Sequence, residues 1–192
     1  MAILQNGDLI DTHSEFYDEL YEELLGLRKE APNFNEVALE MLKVRHITYK
    51  DKFLLFPLLR KDSMEAFLYA LNEIKRDTTL SERDILNIPD SFCKTLLHHA
   101  VINNDLACAE FLLESGLNID AQDFLGMTPL HYLNCVDMEM VELLLKYNPN
   151  LNIRACPLKW FGPNPQIGKL PIDTTYNEEI KKRLQDHQWL PS

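Results

Sequence analysis

Apolar residues in this chain recur at helical intervals in short blocks, and two of the blocks are copies of each other. Between Leu106 and Glu114, Cys108, Phe111 and Leu112 fall on one face, and Gly116 follows where a left-handed helix stop is expected. Val141, Leu144 and Leu145 hold the same face further on, and Asn148-Pro149 replaces the glycine stop. Each of these helices is preceded by a shorter apolar block opened by threonine: Thr95-Leu96-Leu97-His98-His99-Ala100 and Thr128-Pro129-Leu130-His131-Tyr132-Leu133. Threonine suits an N-cap and Pro129 suits the first helical position, where a missing N–H costs nothing. Ahead of each threonine, Asp90-x-x-Cys93 and Asp123-x-x-Gly126 bracket tight turns, so the connecting segment reads as a hairpin-like loop standing away from the helices. The openings lie 33 positions apart, and Asn118-Ile119-Asp120 returns as Asn150-Leu151-Asn152 at an offset of 32. A fixed period of this size predicts stacked units of helix, turn, helix and projecting loop, none of which buries its apolar face alone.

Damaged versions of the unit flank the clear copies. Phe53-Leu54-Leu55-Phe56 and Glu65-Ala66-Phe67 fall where Thr95 to His98 and Ala107 to Ala109 fall in the next copy, with phenylalanine in place of both threonine and histidine. Pro57 is predicted to kink or shorten that first helix. The nine surplus positions before Thr95 belong to the connection from about Lys75 to Pro89, where Ser81 to Asp84 adds a helical turn. At the far end Gly168-Lys169-Leu170-Pro171-Ile172-Asp173 repeats the opening with leucine for threonine and aspartate for histidine, and Glu178 to Leu184 supplies a charged closing helix. Between them, Arg154 to Ile167 holds Pro157, Pro163 and Pro165 beside Trp160 and Phe161.

Before residue 50 the period is absent. Met1 to Ile10 carries no periodic signal and reads as a tail. Thr12-His13-Ser14-Glu15 has capping-box spacing, and Phe16, Leu20, Leu24 and Leu27 follow at helical intervals. A second helix is predicted from about Asn35 to Arg45 with Val37, Ala38, Met41 and Val44 on one side. A helix pair this short is marginal alone, so its apolar face is expected on the first repeat unit.

The Thr128 to Leu133 block resembles the Thr-Pro-Leu-His-x-Ala signature of ankyrin repeats, and Thr95 to Ala100 is one proline short of it. The resemblance implies an all-α ankyrin-repeat solenoid with an N-terminal helical hairpin. Residues 1–50 are then an acidic helical extension and 51–192 the array: a degenerate repeat at 51–89, repeats at 90–122 and 123–153, and a cap at 168–185. It also implies that His98 and His131 tie each short helix to neighbouring backbone, and that the protein binds another protein at its loop tips and adjoining short-helix faces. Those positions hold Phe92, Phe124, Leu125, Met127, Trp160 and Phe161 at the tips, with Lys94, Ile102, Asn103, Cys135 and Val136 beside them. Aromatic residues there allow two arrangements: exposed anchors for a partner, or side chains folded under neighbouring loops and over the cap.

Composition narrows the function further. At 192 residues and 46% hydrophobic content the chain can bury a core unaided, and its four cysteines show no paired spacing, as expected of reduced thiols in a cytoplasmic protein. Asp8 and Asp11, with no basic region ahead of an apolar one, argue against a secretory signal, and the longest apolar run, Phe53 to Leu59, falls far short of the ~20 residues a bilayer needs. Net charge is −11, concentrated in residues 1–40, which argues against nucleic acid as a partner. The sequence contains no Gly-x-Ser-x-Gly, no His-Glu-x-x-His and no phosphate-cradling glycine loop. His98 and His99 are adjacent, so on a helix they diverge by about 100° and form no metal pair. What the ankyrin resemblance implies is a non-enzymatic adaptor, scaffold or inhibitor, expected to be monomeric when unbound and without cofactor or metal. The alternative is an effector or enzyme accessory whose repeats select a substrate while the N-terminal helices carry a separate activity.

Overall fold

The computed structural model describes residues 19–30, 33–44, 47–60, 63–155 and 168–188, and among these every regular element is helical. The all-α class predicted from the periodicity is the one observed. The chain divides into two compact units, residues 1–91 and 92–192.

In the first unit, α1 (Glu19–Glu30) and α2 (Phe34–Lys43) form the expected pair. Leu20 and Leu24 are buried from α1, and Phe34, Ala38 and Leu42 form a single i, i+4, i+8 seam on α2. Of the face expected from the sequence, Val37, Ala38, Met41 and Val44, only Ala38 is buried: Val37 and Met41 are half-buried, and Val44 is the C-cap of α2 and lies in solvent. The other elements are a 3-10 segment (Tyr49–Leu54) running into α3 (Leu55–Leu58), then α4 (Met64–Arg76) and α5 (Glu82–Leu86). The pair packs on these helices, α2 on α4 and α1 on α3. Asn35 joins them, its Oδ1 accepting from the Ala66 N–H at 3.1 Å and its Nδ2 donating to Glu65 at 3.2 Å. The first helix of this degenerate repeat opens five positions earlier than expected. Thr48, not Phe53, is the N-cap, because Thr48-x-x-Asp51 places a carboxylate where the cap needs an acceptor: the Thr48 N–H donates to Asp51 Oδ2 at 2.7 Å. The helix ends at Leu58, just past Pro57, and α5 begins at the Ser81 cap, where a turn was expected.

In the second unit, α6 (Leu96–Ile102) and α7 (Leu106–Glu114) form one repeat; the 3-10 segment Pro129–Cys135 and α8 (Met138–Lys146) form the next; α9 (Pro171–Thr174) and α10 (Glu178–Gln188) close it. Short helices stack on short helices and long on long, α6 to the 3-10 segment to α9, and α7 to α8 to α10. The stops are those read from the sequence: Gly116 has φ 77° and Asn148 φ 50°. Arg183 of α10 forms a two-point ion pair with Glu142 of α8, which holds the Glu142 carboxyl below its ordinary pKa.

Candidate functional site

In the second unit α6 and the 3-10 segment are each locked by one histidine. The Thr95 N–H donates to His98 Nδ1 at 3.1 Å, with the Thr95 hydroxyl 2.9 Å from the same nitrogen, and His98 Nε2 lies 3.0 Å from the Met127 carbonyl oxygen. A nitrogen that accepts from an amide carries no proton, so the proton is on Nε2 and is donated to Met127 in the next unit. His131 repeats the arrangement, with the Thr128 N–H at 3.0 Å and the Lys169 carbonyl at 3.1 Å. Both rings are buried, and burial lowers the pKa of both, that of His98 to about 4; the Met127 carbonyl and the Asp123 carboxylate pull His98 the other way without prevailing. A buried neutral imidazole committed at both nitrogens is a structural tie, as the resemblance implied.

The projecting loop is organised by Asp123, whose carboxylate is fully buried. Its Oδ1 accepts from the N–H groups of Leu125 at 2.8 Å and Met127 at 3.0 Å, and its Oδ2 accepts from the Tyr132 hydroxyl and lies 3.5 Å from Lys94 Nζ. The chain reverses at Gly126, with φ 71°, and is closed by Asp123 N–H to the Met127 carbonyl at 2.9 Å. Neighbouring tips are joined through the Phe124 N–H, which donates to the Phe92 carbonyl at 2.9 Å. The third loop opens on the same bond, Ala155 N–H to the Lys169 carbonyl at 2.9 Å.

This scaffold holds apolar side chains in water. Phe92 is 61% exposed, Phe124 44% and Leu125 45%, and Ile102 and Asn103 are exposed at the end of α6. Lys94 lies over the rings of Phe92 and Tyr132, its Nζ 5.5 Å and 5.6 Å from their centroids, and so connects the tips to the short-helix face. There a groove of about 440 Å³ is lined by Ile102, Met127, His131, Tyr132, Asn134, Lys169, Thr174 and Tyr176. Met127 is half-buried in its wall, whereas Val136 is buried and offers a partner little surface. Cys135 ends the 3-10 segment, its side chain outside the described part of the structure, and Trp160 and Phe161 also lie outside the described residues. Sequence reading missed Tyr132, Asn134, Lys169 and Tyr176. Of these, Tyr176 carried a faint signal, a lone aromatic in the polar run Asp173 to Glu179 that is 82% exposed.

A repeat fold held by these ties, with exposed loop tips beside a groove, is that of a protein-interaction module. The family model for ankyrin repeats in three copies matches residues 60–155, half of the chain, and the chain belongs to the ankyrin-repeat family. It is 26% identical to the human transient receptor potential cation channel subfamily A member 1, over 92% of this chain and 14% of the channel. To NF-kappa-B inhibitor alpha of Rattus norvegicus it is 30% identical, over 61% of this chain and 35% of the inhibitor. The chain thus spans well under half the length of either relative. Among solved structures, the ankyrin repeat domain of Bcl-3, described as a unique member of the IkappaB protein family, superposes with a TM-score of 0.51 at 20% identity, covering 69% of this chain and 50% of that one. That likeness is one of fold. Ankyrin repeats generally mediate protein–protein interaction and are generally without catalytic activity. Among the described residues no cluster of three or more histidine, cysteine or acidic side chains could hold a metal, and no helix is long and apolar enough to cross a membrane.

Proposed function

We propose that this protein is a non-enzymatic adaptor, scaffold or inhibitor that binds a protein partner through its loop tips and the adjoining concave helix face. The observation that carries the reading is the set of exposed apolar side chains at the tips, Phe92, Phe124 and Leu125, which Lys94 links through the rings of Phe92 and Tyr132 to the groove lined by Ile102 and Tyr176. Side chains of this size left together in water are the usual mark of an interaction site. Aromatic residues are the usual anchors of a small desolvated hot spot. Among the relatives, the name of NF-kappa-B inhibitor alpha favours the inhibitor form of the reading. On this reading α1 and α2 act as an acidic extension to the array, packed on its degenerate repeat. The unbound protein is a cytoplasmic monomer on this reading, needing neither nucleic acid nor membrane.

The test is replacement of Phe124 and Leu125 by serine in the full chain. Both side chains are about half exposed, so the urea melt is expected within about 1 kcal/mol of the parent while capture of the principal partner from cell lysate is lost. Capture that survives with an unchanged melt would move the binding site away from the tips.

A further inference from the structure

We propose that the groove beside the tips takes a segment of the partner in which a large apolar side chain is followed closely by a carboxylate, and that Lys169 reads that carboxylate. The inference rests on the reading of this surface as the partner-binding site and adds the chemistry of the partner.

The argument begins with charge. The chain has thirty acidic against nineteen basic side chains, yet no aspartate or glutamate lines the groove and one lysine does. Of the two lysines near the surface, Lys94 is already committed, 3.5 Å from the buried Asp123 carboxylate and stacked over two rings. Lys169 is different. Its carbonyl is clamped by the Ala155 N–H at 2.9 Å and by His131 Nε2 at 3.1 Å, so its backbone is fixed, while its side chain is exposed and forms no ion pair among the described residues. The nearby Asp173 carboxylate is engaged by the Leu170 N–H at 2.9 Å.

The remaining wall is apolar. Ile102, Met127, Tyr132 and Tyr176 offer a seat for one large side chain, in a volume within the ~300–1,000 Å³ of sites that enclose small ligands. An ammonium on a fixed backbone at the rim of such a seat gains most from a carboxylate delivered beside the apolar anchor, because the bound anchor excludes water from the pair. A basic partner segment is disfavoured by the same field.

The experiment selects random dodecapeptides displayed on phage against the full-length chain and measures the enriched sequence, synthesised and labelled, by fluorescence anisotropy. The expected consensus places aspartate or glutamate within two positions of an aromatic or long aliphatic residue. Lys169→Glu should weaken binding about tenfold or more, Lys169→Arg should leave it within about threefold, and a peptide with its acid changed to lysine should regain affinity for Lys169→Glu. A consensus without an acid, or equal affinity for the parent and Lys169→Glu, overturns the role of Lys169. If binding then still fails with the serine pair at Phe124 and Leu125, the surface itself stands. Enrichment of no peptide overturns the inference, and capture of the protein partner by the parent but not by the serine pair would leave the broader reading in place.

Discussion

Two kinds of short helix sit in this chain, and they differ by one side chain at the third helical position. In the clear repeats it is an imidazole, His98 or His131, that takes the cap N–H and donates its other nitrogen's proton to a carbonyl of the following unit. In the degenerate repeat and the closing unit it is a carboxylate. Asp51 accepts from the Thr48 N–H at 2.7 Å, and Asp173 from the Leu170 N–H at 2.9 Å. Both groups close a cap, but an ionised carboxylate has no proton to give to a carbonyl. The imidazole is two-ended and the carboxylate one-ended, so histidine ties its unit to the next one while aspartate closes a cap without that tie.

The comparison breaks most sharply if the two residues are exchanged. His98→Asp keeps an acceptor for the cap but removes the imidazole N–H that the Met127 carbonyl accepts beside that of Asp123, and places a carboxylate at a fully buried position, an expected loss of about 4 kcal/mol. Asp173→His changes an exposed group that accepts one N–H and should stay within about 0.5 kcal/mol of the parent. Urea denaturation of both full-length variants decides it; similar losses at the two positions would mean that the forward bond contributes nothing.

Acid sharpens the same contrast through the imidazoles alone. The folded pKa of His98 is lowered to about 4, below the ordinary 6.5, so between these values the unfolded chain binds the proton and the folded one does not. The stability is therefore fully present above pH 6.5 and is lost as pH falls through the window toward 4. From pH 7.5 to pH 5 the His98 contribution is about 2 kcal/mol, with His131 acting in the same direction. Urea melts at the two pH values should show that loss in the parent and a clearly smaller one in His98→Gln. An equal pH dependence in both would place the titrating groups elsewhere.

What was legible in the sequence followed from local chemistry. The span Leu106 to Glu114, the left-handed Gly116 and Asn148 and the threonine caps rest on residues within a few positions of one another, whereas the histidine ties, which reach carbonyls 29 and 38 positions ahead, followed only from the resemblance. The inward face of α2 was not legible. Phe34, Ala38 and Leu42 compete there with Val37, Met41 and Val44, and the choice between two apolar stripes is made by what covers the helix, here α4. The start of the degenerate repeat was missed because spacing counted back from α4 landed on Phe53, while the chain extends that helix to a cap at Thr48. The groove lay deepest out of sight. Lys169 and Tyr176 reach Ile102 and Met127 only because the chain returns after the long third loop, and no local pattern encodes that meeting.

The smallest effect tests the two loop turns against each other. Cys93 and Gly126 occupy equivalent places, 33 positions apart, and both adopt the left-handed backbone, with φ 59° and 71°. Glycine adopts it freely, whereas a side chain there costs about 1–2 kcal/mol. Cys93 is exposed and has little packing to lose on truncation. Glycine in turn makes the unfolded chain freer, which offsets about 0.5–1 kcal/mol of the relief. Cys93→Gly is therefore expected to stabilise the protein by about 0.5 kcal/mol, and the reverse change, Gly126→Ala, to destabilise it by about 1 kcal/mol. The two numbers come from the same urea titration with unchanged slope. A loss of stability in Cys93→Gly would mean that the thiol makes contacts in the first turn that glycine at the second does without, and the two turns would then be alike in backbone only.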